Sequence, residues 1–579
     1  VQVTTDWARL DQQHLWHPFT QAYEWERTPP LVIARAEGNY LFDDRGQRYF
    51  DGVSSLWVTT HGHGHPTIAE AIARQARELD HSTMLGLTHP RAVELAVEMV
   101  GRAPAGLTRV FYSDSGSTAV EIALKQAFQY MALTGRPEKR RFLHLAESYH
   151  GDTLGAVGVG GMELFHRIFG PLIVAGVRVP SPALDPGALL TLEAVLEQEH
   201  RSIAALIIEP LIQGAAGMLV HPPGYLRAVA ELCRRYEVLL IADEVATGFG
   251  RTGTLFACER EGVSPDFLCL AKGLTGGTLP LAATLTTEAV YQAFVAPRAQ
   301  GTTFFHGHTY TGNPIACAAA LANLSLYTPE FIAGLAERAK VLQQELEALR
   351  DLPWVHEVRS VGLMGGIELR DQSGAPFPFE RFVGSLVCAK VRAHGVVLRP
   401  LGDVVVWMPP LASSPEELRT PGRGDPRGDP GEFHVKRFVT GTDTGVGKTF
   451  VTRRLVEELR AAGRPACAIK PIETGWDEAT SDARLLAEAS GRSIEDTVHL
   501  RFTAPGHRAP LPRPKGARST STPWSRGAAS SPGVRSSSRA PAAGRCRSIT
   551  AEWPISPSRP RTPSSSSPGQ VSAPSTTPC

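Results

Sequence analysis

The stretch "LLIADEVATGFGRTGTLFACEREGVSPDFLCLAKGLTGG", Leu239 to Gly277, decides how the chain reads. It holds two short unbroken apolar runs, and each stops at a charged residue, Asp243 after the first and Lys272 after the second. Unbroken runs suit strands covered on both faces, as in a mostly parallel sheet, whereas half-exposed strands alternate. "AALIIEP" (Ala204 to Pro210) has the same character. "STAVEIALKQAFQYMALTG" (Ser117 to Gly135) is helical in its apolar spacing and ends on glycine. Strands alternating with helices indicate a layered α/β fold. An acid and an amine at strand ends are, singly, ordinary features of any such sheet; together they form a candidate site.

At 579 residues the chain exceeds the ~300 at which single cores stop growing, so more than one domain is expected. A net charge of +1 gives no reason to expect nucleic acid as partner. No run of about 20 apolar residues suggests a membrane span. The start, "VQVTTDWARLDQQHLW", lacks the order of a secretory signal. Eight scattered cysteines without a C-x-x-C pair read as reduced thiols, and a cytoplasmic location is expected. "THGHGHP" (Thr60 to Pro66) offers His61, His63 and His65, but alternating histidines without further ligands are a weak zinc signal, and no metal is expected there.

The α/β pattern holds over 1–418, where "SSPEEL" (Ser413 to Leu418) opens like a capped helix. Residues 419–435 are rich in glycine and proline and read as a linker. A second α/β piece follows at 436–503, with a strand "KRFVTG", a helix "KTFVTRRLVEELRAAG" carrying Val451, Leu455, Val456 and Leu459 on one side, and a strand in "PACAIKPIETG". Residues 504–579 are dominated by proline, serine and arginine and read as disordered.

The Leu239–Gly277 segment resembles the cofactor-attachment region of the class III, fold type I, aminotransferases that use pyridoxal 5′-phosphate, and the resemblance extends over most of Trp7 to Pro410. It implies a large domain with a mostly parallel sheet and a smaller α+β domain. It also implies that Lys272 holds the cofactor covalently and shuttles the proton, while Asp243 pairs with the pyridine nitrogen. "SDSGSTAVE" (Ser113 to Glu121) places Gly116 and Ser117 at a helix start suited to phosphate, and the segment also reads as a plain N-cap with Thr118 and Glu121 as a capping box. "ESYHGDT" (Glu147 to Thr153) matches the family segment whose aromatic residue stacks on the ring, which implicates Tyr149. "FFHGHTYTGNP" (Phe304 to Pro314) matches the segment that reaches the neighbouring subunit's phosphate, implicating Gly307, His308 and Thr309 and a homodimer.

Within class III, "LWHPFTQ", "DGVSSLWVTTHGHGHP" and "LRPLGDVVVWMPPLAS" resemble the branch that converts 8-amino-7-oxononanoate to 7,8-diaminononanoate in biotin biosynthesis. The resemblance implies Arg399 for the substrate carboxylate, with Phe19, Leu56, Trp57, Tyr149 and Gly307 around the substrate. Much of that branch has tyrosine at Phe19 and tryptophan at Leu56, and losing the phenol removes a hydrogen bond worth roughly 0.5–1.5 kcal/mol. The amino donor is left between S-adenosylmethionine, the usual one, and lysine; another class III ω-aminotransferase is the alternative.

"GTDTGVGKT" departs by one position from the general phosphate-loop pattern and resembles dethiobiotin synthetase, with Gly445, Gly447, Lys448, Thr449, Lys470 and Asp482 as the nucleotide-site candidates. Thr449 and Asp482 would serve magnesium only if this segment binds Mg-ATP. The resemblance covers only 436–503, so the nucleotide site is expected to be vestigial.

Overall fold

The computed structural model describes residues 5–419, 448–461, 468, 470–474, 481–491 and 498–502. The chain divides into two compact units, Val1–Gly431 and Glu432–Cys579. The first is organised around a seven-stranded sheet whose strands, in chain order, are β1 (Leu107–Ser113), β2 (Arg141–Leu145), β3 (Val177–Val179), β4 (Ile203–Ile208), β5 (Leu239–Asp243), β6 (Phe267–Leu270) and β7 (Ala282–Thr287). Their order across the sheet is β1-β7-β6-β5-β4-β2-β3, and only β7 runs antiparallel to its neighbours.

The unbroken apolar runs are explained by two cores, one on each face. Ala205, Ile207, Ile241, Phe267 and Cys269 pack with Ala119, Val120, Ala123 and Ala127 of helix α1 (Gly116–Leu133). The alternate residues Leu206, Ile208, Leu240, Ala242, Leu268 and Leu270 belong to the core on the other side, with Leu226 and Val229 of the helix Tyr225–Arg235. With neither face wet, both sets must be apolar, and each fully buried aliphatic side chain contributes about 1.5–3 kcal/mol.

Helix α2 (Pro314–Ser325) is capped by Asn313, whose side chain accepts the Ala316 N–H, and carries proline in its first turn. After α3 (Pro329–Glu347) comes a four-stranded antiparallel sheet in the order Val355–Val361, Met364–Leu369, Val404–Trp407, Arg399–Leu401. Leu342 and Leu346 of α3 join its core. A small sheet formed by Ile33–Glu37, Tyr40–Asp43 and Arg48–Asp51 takes Val396–Val397 as its last strand, and so ties the early chain to the end of the unit.

The helix expected after Ser413 forms, short, as α4 (Pro415–Arg419). Ser414 Oγ accepts the Glu417 N–H at 3.1 Å while Glu417 Oε2 accepts the Ser414 N–H at 2.8 Å, a reciprocal capping box. Glu417 Oε2 also takes a hydrogen bond from Asn39 Nδ2 at 3.0 Å. Leu418 is fully buried, with α4 against α3.

In the second unit a helix spans Lys448–Ala461, and Lys470–Thr474 pairs in parallel with Val498–Phe502. Val456 is buried there, whereas Val451, expected on the same apolar side, is 52% exposed: it lies in the first turn, ahead of the small core of Val456, Ala468 and Leu486. The helix Asp482–Ser490 is capped by Ser481. The expected linker after Arg419, the strand "KRFVTG", Gly445, Gly447 and the segment 504–579 lie outside the described residues.

Because α4 is one turn long, its anchoring depends on Leu418. Leu418→Ala is expected to destabilise the first unit by about 2–5 kcal/mol in denaturant melts of the full chain. A cost below the lower bound would mean that α4 is frayed in solution.

Candidate active site

β4, β5 and β6 run parallel, so their C-terminal ends reach one edge of the sheet, and each supplies a polar residue at or just past its end: Glu209, Asp243 and Lys272. Strand β2 leads at the same edge into Tyr149 and His150, and β1 leads into the start of α1. These groups surround a cavity of about 380 Å³ lined by Trp57, Gly116, Ser117, Tyr149, Glu209, Asp243 and Lys272 among others. That volume lies within the usual range of roughly 300–1,000 Å³ for small-molecule sites.

Asp243 is buried, and its two oxygens have separate partners. Oδ2 lies 2.7 Å from His150 Nδ1, and Oδ1 accepts the Val245 N–H at 3.1 Å. A carboxylate can only accept, so the imidazole carries its proton on Nδ1, and its Nε2 is buried with no hydrogen-bond partner. Glu209 Oε2 accepts the Tyr149 N–H at 3.2 Å, and Oε1 accepts the Gly214 N–H at 3.0 Å. Burial nevertheless drives the Glu209 carboxyl from its ordinary 4.5 up to about 7. Burial also lowers the proton affinity of the Lys272 amine, a trend opposed by the charges of Asp243 and Glu209. Lys272 Nζ lies 5.0 Å from the centre of the Trp57 ring, whose own Nε1 is buried without a partner.

Around this amine the backbone is strained. Lys272 has φ 43°, and on the facing turn Ser54, Ser55 and Trp57 have φ 51°, 60° and 64°. Non-glycine residues in this region cost about 1–3 kcal/mol each and persist only where their surroundings hold them. Asp51, fully buried, is one such restraint. It accepts the Ser55 N–H at 2.8 Å and the Ser55 hydroxyl at 3.1 Å, and lies 2.8 Å from His63 Nε2.

At the opposite end, Ser115 caps α1 and forms a capping box with Thr118; Glu121 instead accepts the Gly155 N–H at 2.8 Å. The sequence pairing of Thr118 with Glu121 is therefore corrected by three residues. The first-turn amides of α1 have no intrahelical partner, and the helix dipole favours an anion there. Space beside them depends on two glycines. A Cβ on Gly116 would meet Val245 Cγ1 at 2.6 Å, and one on Gly151 would meet Ser117 Oγ at 2.0 Å. An anion cradle, an aromatic ring, a buried carboxylate and an amine thus converge, and the residues fit a phosphorylated heterocyclic aldehyde.

The cavity brings together Lys272, Asp243, Tyr149, Gly116, Ser117 and Trp57. It does not include Phe19, Leu56, Gly307, His308, Thr309 or Arg399. Phe19 and Leu56 are 58% and 49% exposed, and Arg399 is half-buried in the antiparallel sheet. Sequence reading passed over Glu209 and the partnership of His150 with Asp243. Glu209 follows its strand as Asp243 ends β5, a signal available in "AALIIEP"; the His150 contact joins residues 93 apart and leaves no local trace. The histidines of "THGHGHP" diverge, His61 toward Asn323 and His63 toward Asp51. Among the described residues no cluster suited to a metal ion occurs.

Residues 22–421 match the family described as aminotransferase class-III. The chain is 49% identical over 434 residues to adenosylmethionine-8-amino-7-oxononanoate aminotransferase of Geobacter sulfurreducens, covering 72% of this chain and 95% of that one. With the Nitratidesulfovibrio vulgaris protein of the same name it is 51% identical over 428 residues, 71% of this chain and 79% of the relative. The crystal structure of the Methanocaldococcus jannaschii protein of that name superposes with a TM-score of 0.70 at 42% identity, covering 71% of this chain and 95% of that one. An ω-transaminase of Pseudomonas jessenii gives 0.68 at 30% identity, covering 72% and 95%. With a sheet edge carrying an amine, a carboxylate and an anion cradle, and with 79–95% of each of these proteins matched, the chain belongs to the class III aminotransferases, which use pyridoxal phosphate.

Proposed function

We propose that the chain transfers an amino group to the ketone of 8-amino-7-oxononanoate, giving 7,8-diaminononanoate, with S-adenosylmethionine as donor. The observation that carries this reading is the name shared by its near relatives, one matched over 95% and the other over 79% of its length. Bound pyridoxal phosphate would supply the electron sink for the charge left when a substrate carbon loses its proton. Lys272 would hold the cofactor, and its amine would move that proton; a desolvated amine suits the task, whereas a guanidinium would stay protonated. Asp243, fixed by His150 and the Val245 N–H, would keep the ring nitrogen protonated. Gly116 and Ser117 would take the phosphate on backbone amides, and Tyr149 would cover a ring face. Tyr149 is held for this by its hydroxyl, which donates to Asp152 Oδ2 at 2.8 Å. The backbone of Arg399 pairs with the Val404–Trp407 strand, while its guanidinium makes no hydrogen bond or ion pair with another described residue, which suits a group reserved for the substrate carboxylate.

Gly307, His308 and Thr309 are assigned to the cavity of a second copy. The ring of Tyr310 packs on His81, and around them Leu85, Leu87, Phe305 and Tyr310 stay 60–85% exposed, an apolar surface that a homodimer would cover. Phe19 and Leu56, also exposed and apolar, are assigned to the substrate entry of that assembly. The second unit is read as the front of a dethiobiotin synthetase-like domain. Lys448 opens a helix, Lys470 a strand and Asp482 a helix, in the order that reading requires, and no catalytic step is assigned to it.

The purified full-length protein is expected to turn over 8-amino-7-oxononanoate with S-adenosylmethionine. Turnover with lysine alone would overturn the donor, and activity confined to simple amines would overturn the acceptor. Lys272→Ala is expected to lower kcat by at least about 10²–10⁴-fold. The raised carboxyl of Glu209 gives a test free of turnover. Its folded value of about 7 lies above its ordinary 4.5, so the folded state holds an extra proton between these pH values. The stability so contributed is full below the window and lost as pH rises through it. Glu209→Gln is expected to flatten that slope in melts of the cofactor-free protein; an unchanged slope would mean that Glu209 is ionised throughout.

A further inference from the structure

Three segments distant in sequence meet on one buried amide. Asn323, fully buried near the end of α2, donates from Nδ2 to the carbonyl oxygens of Gly273 at 2.8 Å and Leu274 at 3.0 Å. Its Oδ1 accepts the Thr60 hydroxyl at 3.0 Å and lies 3.0 Å from His61 Nδ1. Carbonyls only accept, so the amide can face them in one orientation alone, with both of its N–H groups donated and Oδ1 turned toward Thr60 and His61. Burial holds the His61 ring down at about 4, so it is neutral with a single N–H, and its Nδ1 also lies 3.0 Å from the Thr60 hydroxyl. His61 is itself fixed between the Tyr327 and Phe331 rings, with centroids 4.7 and 4.4 Å away.

The two carbonyls that Asn323 grips directly follow Lys272, whose φ of 43° opens the single turn Lys272–Thr275. A lysine gains nothing locally from this conformation and would relax to negative φ, swinging its side chain, unless the turn after it were held. The turn is shaped to close on the amide: a Cβ on Gly276, at φ 65°, would meet Asn323 Oδ1 at 2.8 Å.

We propose that Asn323, oriented by Thr60 and His61, is a positioning residue that holds the Lys272 backbone in its left-handed conformation and so aims the amine into the cavity. This rests on the reading of Lys272 as the residue that binds the cofactor. The histidine turn is then part of the support of that lysine.

The test uses the full chain stripped of cofactor. Adding pyridoxal phosphate to the wild type should develop the visible band of lysine-bound cofactor at a measurable rate. Asn323→Asp keeps the shape and the acceptor but loses both donors. It is expected to slow that rate by about 10–100-fold, the scale of an ångström-sized misplacement, and to lower kcat far more than it raises KM. Thr60→Val, which removes one of the bonds that orient the amide, is expected to slow it less. Unchanged rates in both folded variants overturn the proposal. Should Asn323→Asp fail to fold, Thr60→Val decides alone, slowing in support and no change against. A wild type that forms no band, or Lys272→Ala that still forms one, overturns the reading of Lys272 itself and the role of Asn323 with it.

Discussion

The parallel pairing of β5 with β6 is the constraint on which the catalytic cavity depends. Parallel strands end at the same edge, and the register sets Asp243 opposite Cys269, three residues before Lys272. The acid and the amine therefore arrive together without a loop having to fold back. The same holds across the sheet, where β4 and β2 deliver Glu209 and the Tyr149–His150 pair. Strand β1, antiparallel to β7 and so parallel to β6, starts α1 at that edge too. Open α/β sheets bind ligands outside the carboxyl ends of their strands because that is where backbone amides and strand-end side chains converge. The buried runs of Ile, Leu and Ala that hold the strands in register thus also set the distances at the site.

Gathering charges at a buried edge has a cost that each group must offset through specific partners. Asp243 has an imidazole and an amide, and Glu209 has two amides. Lys272 has no such dedicated partner among the described residues; it has the field of those carboxylates and the face of Trp57. Both carboxylates are fixed by hydrogen bonds, whereas the amine is reached only through the turn that follows it, whose carbonyls Asn323 binds. The carboxylates stabilise the protonated amine while burial opposes it, which leaves the amine's proton easier to remove than that of an exposed lysine.

The fold was legible because its signal is local and repeated. Apolar runs near Ala204, Leu239 and Phe267 became β4, β5 and β6 within a residue or two, and the helix after Ser113 was bounded closely. Lys272 and Asp243 were legible because each ends such a run. Less could be read where meaning depends on long-range contact. The polar residue after Ile208 looked like the end of a strand, and only the sheet order brings it to the cavity. The capping box of α1 was misplaced because Ser115, not Thr118, is the cap, and an S-x-x-T pair is a weaker word than T-x-x-E. The histidines of "THGHGHP" left no readable role, since the partners of His63 and His61, Asp51 and Asn323, lie on either side of the segment, the second more than 250 residues away.

Backbone strain was wholly illegible, because no residue type announces a positive φ unless it is glycine. Yet strain is what the two turns facing each other across Lys272 Nζ have in common. Apolar packing is non-directional and cannot hold such turns to a given dihedral angle, whereas hydrogen bonds with fixed directions can. Polar groups buried beside the cavity do this work. Asp51 takes both the N–H and the hydroxyl of Ser55, the Ser54 hydroxyl donates to the Met408 carbonyl at 2.8 Å, and Asn323 takes the carbonyls after Lys272. Arg251, fully buried, donates to the Thr59 carbonyl at 2.7 Å and also to that of Pro409, joining the histidine turn to the end of the unit. An apolar replacement anywhere in this set could keep the volume but would release a direction. The concentration of buried polar side chains here is therefore a consequence of strain, and the strain is a consequence of setting an amine and an indole 5.0 Å apart at the edge of a sheet that would otherwise leave both free to turn.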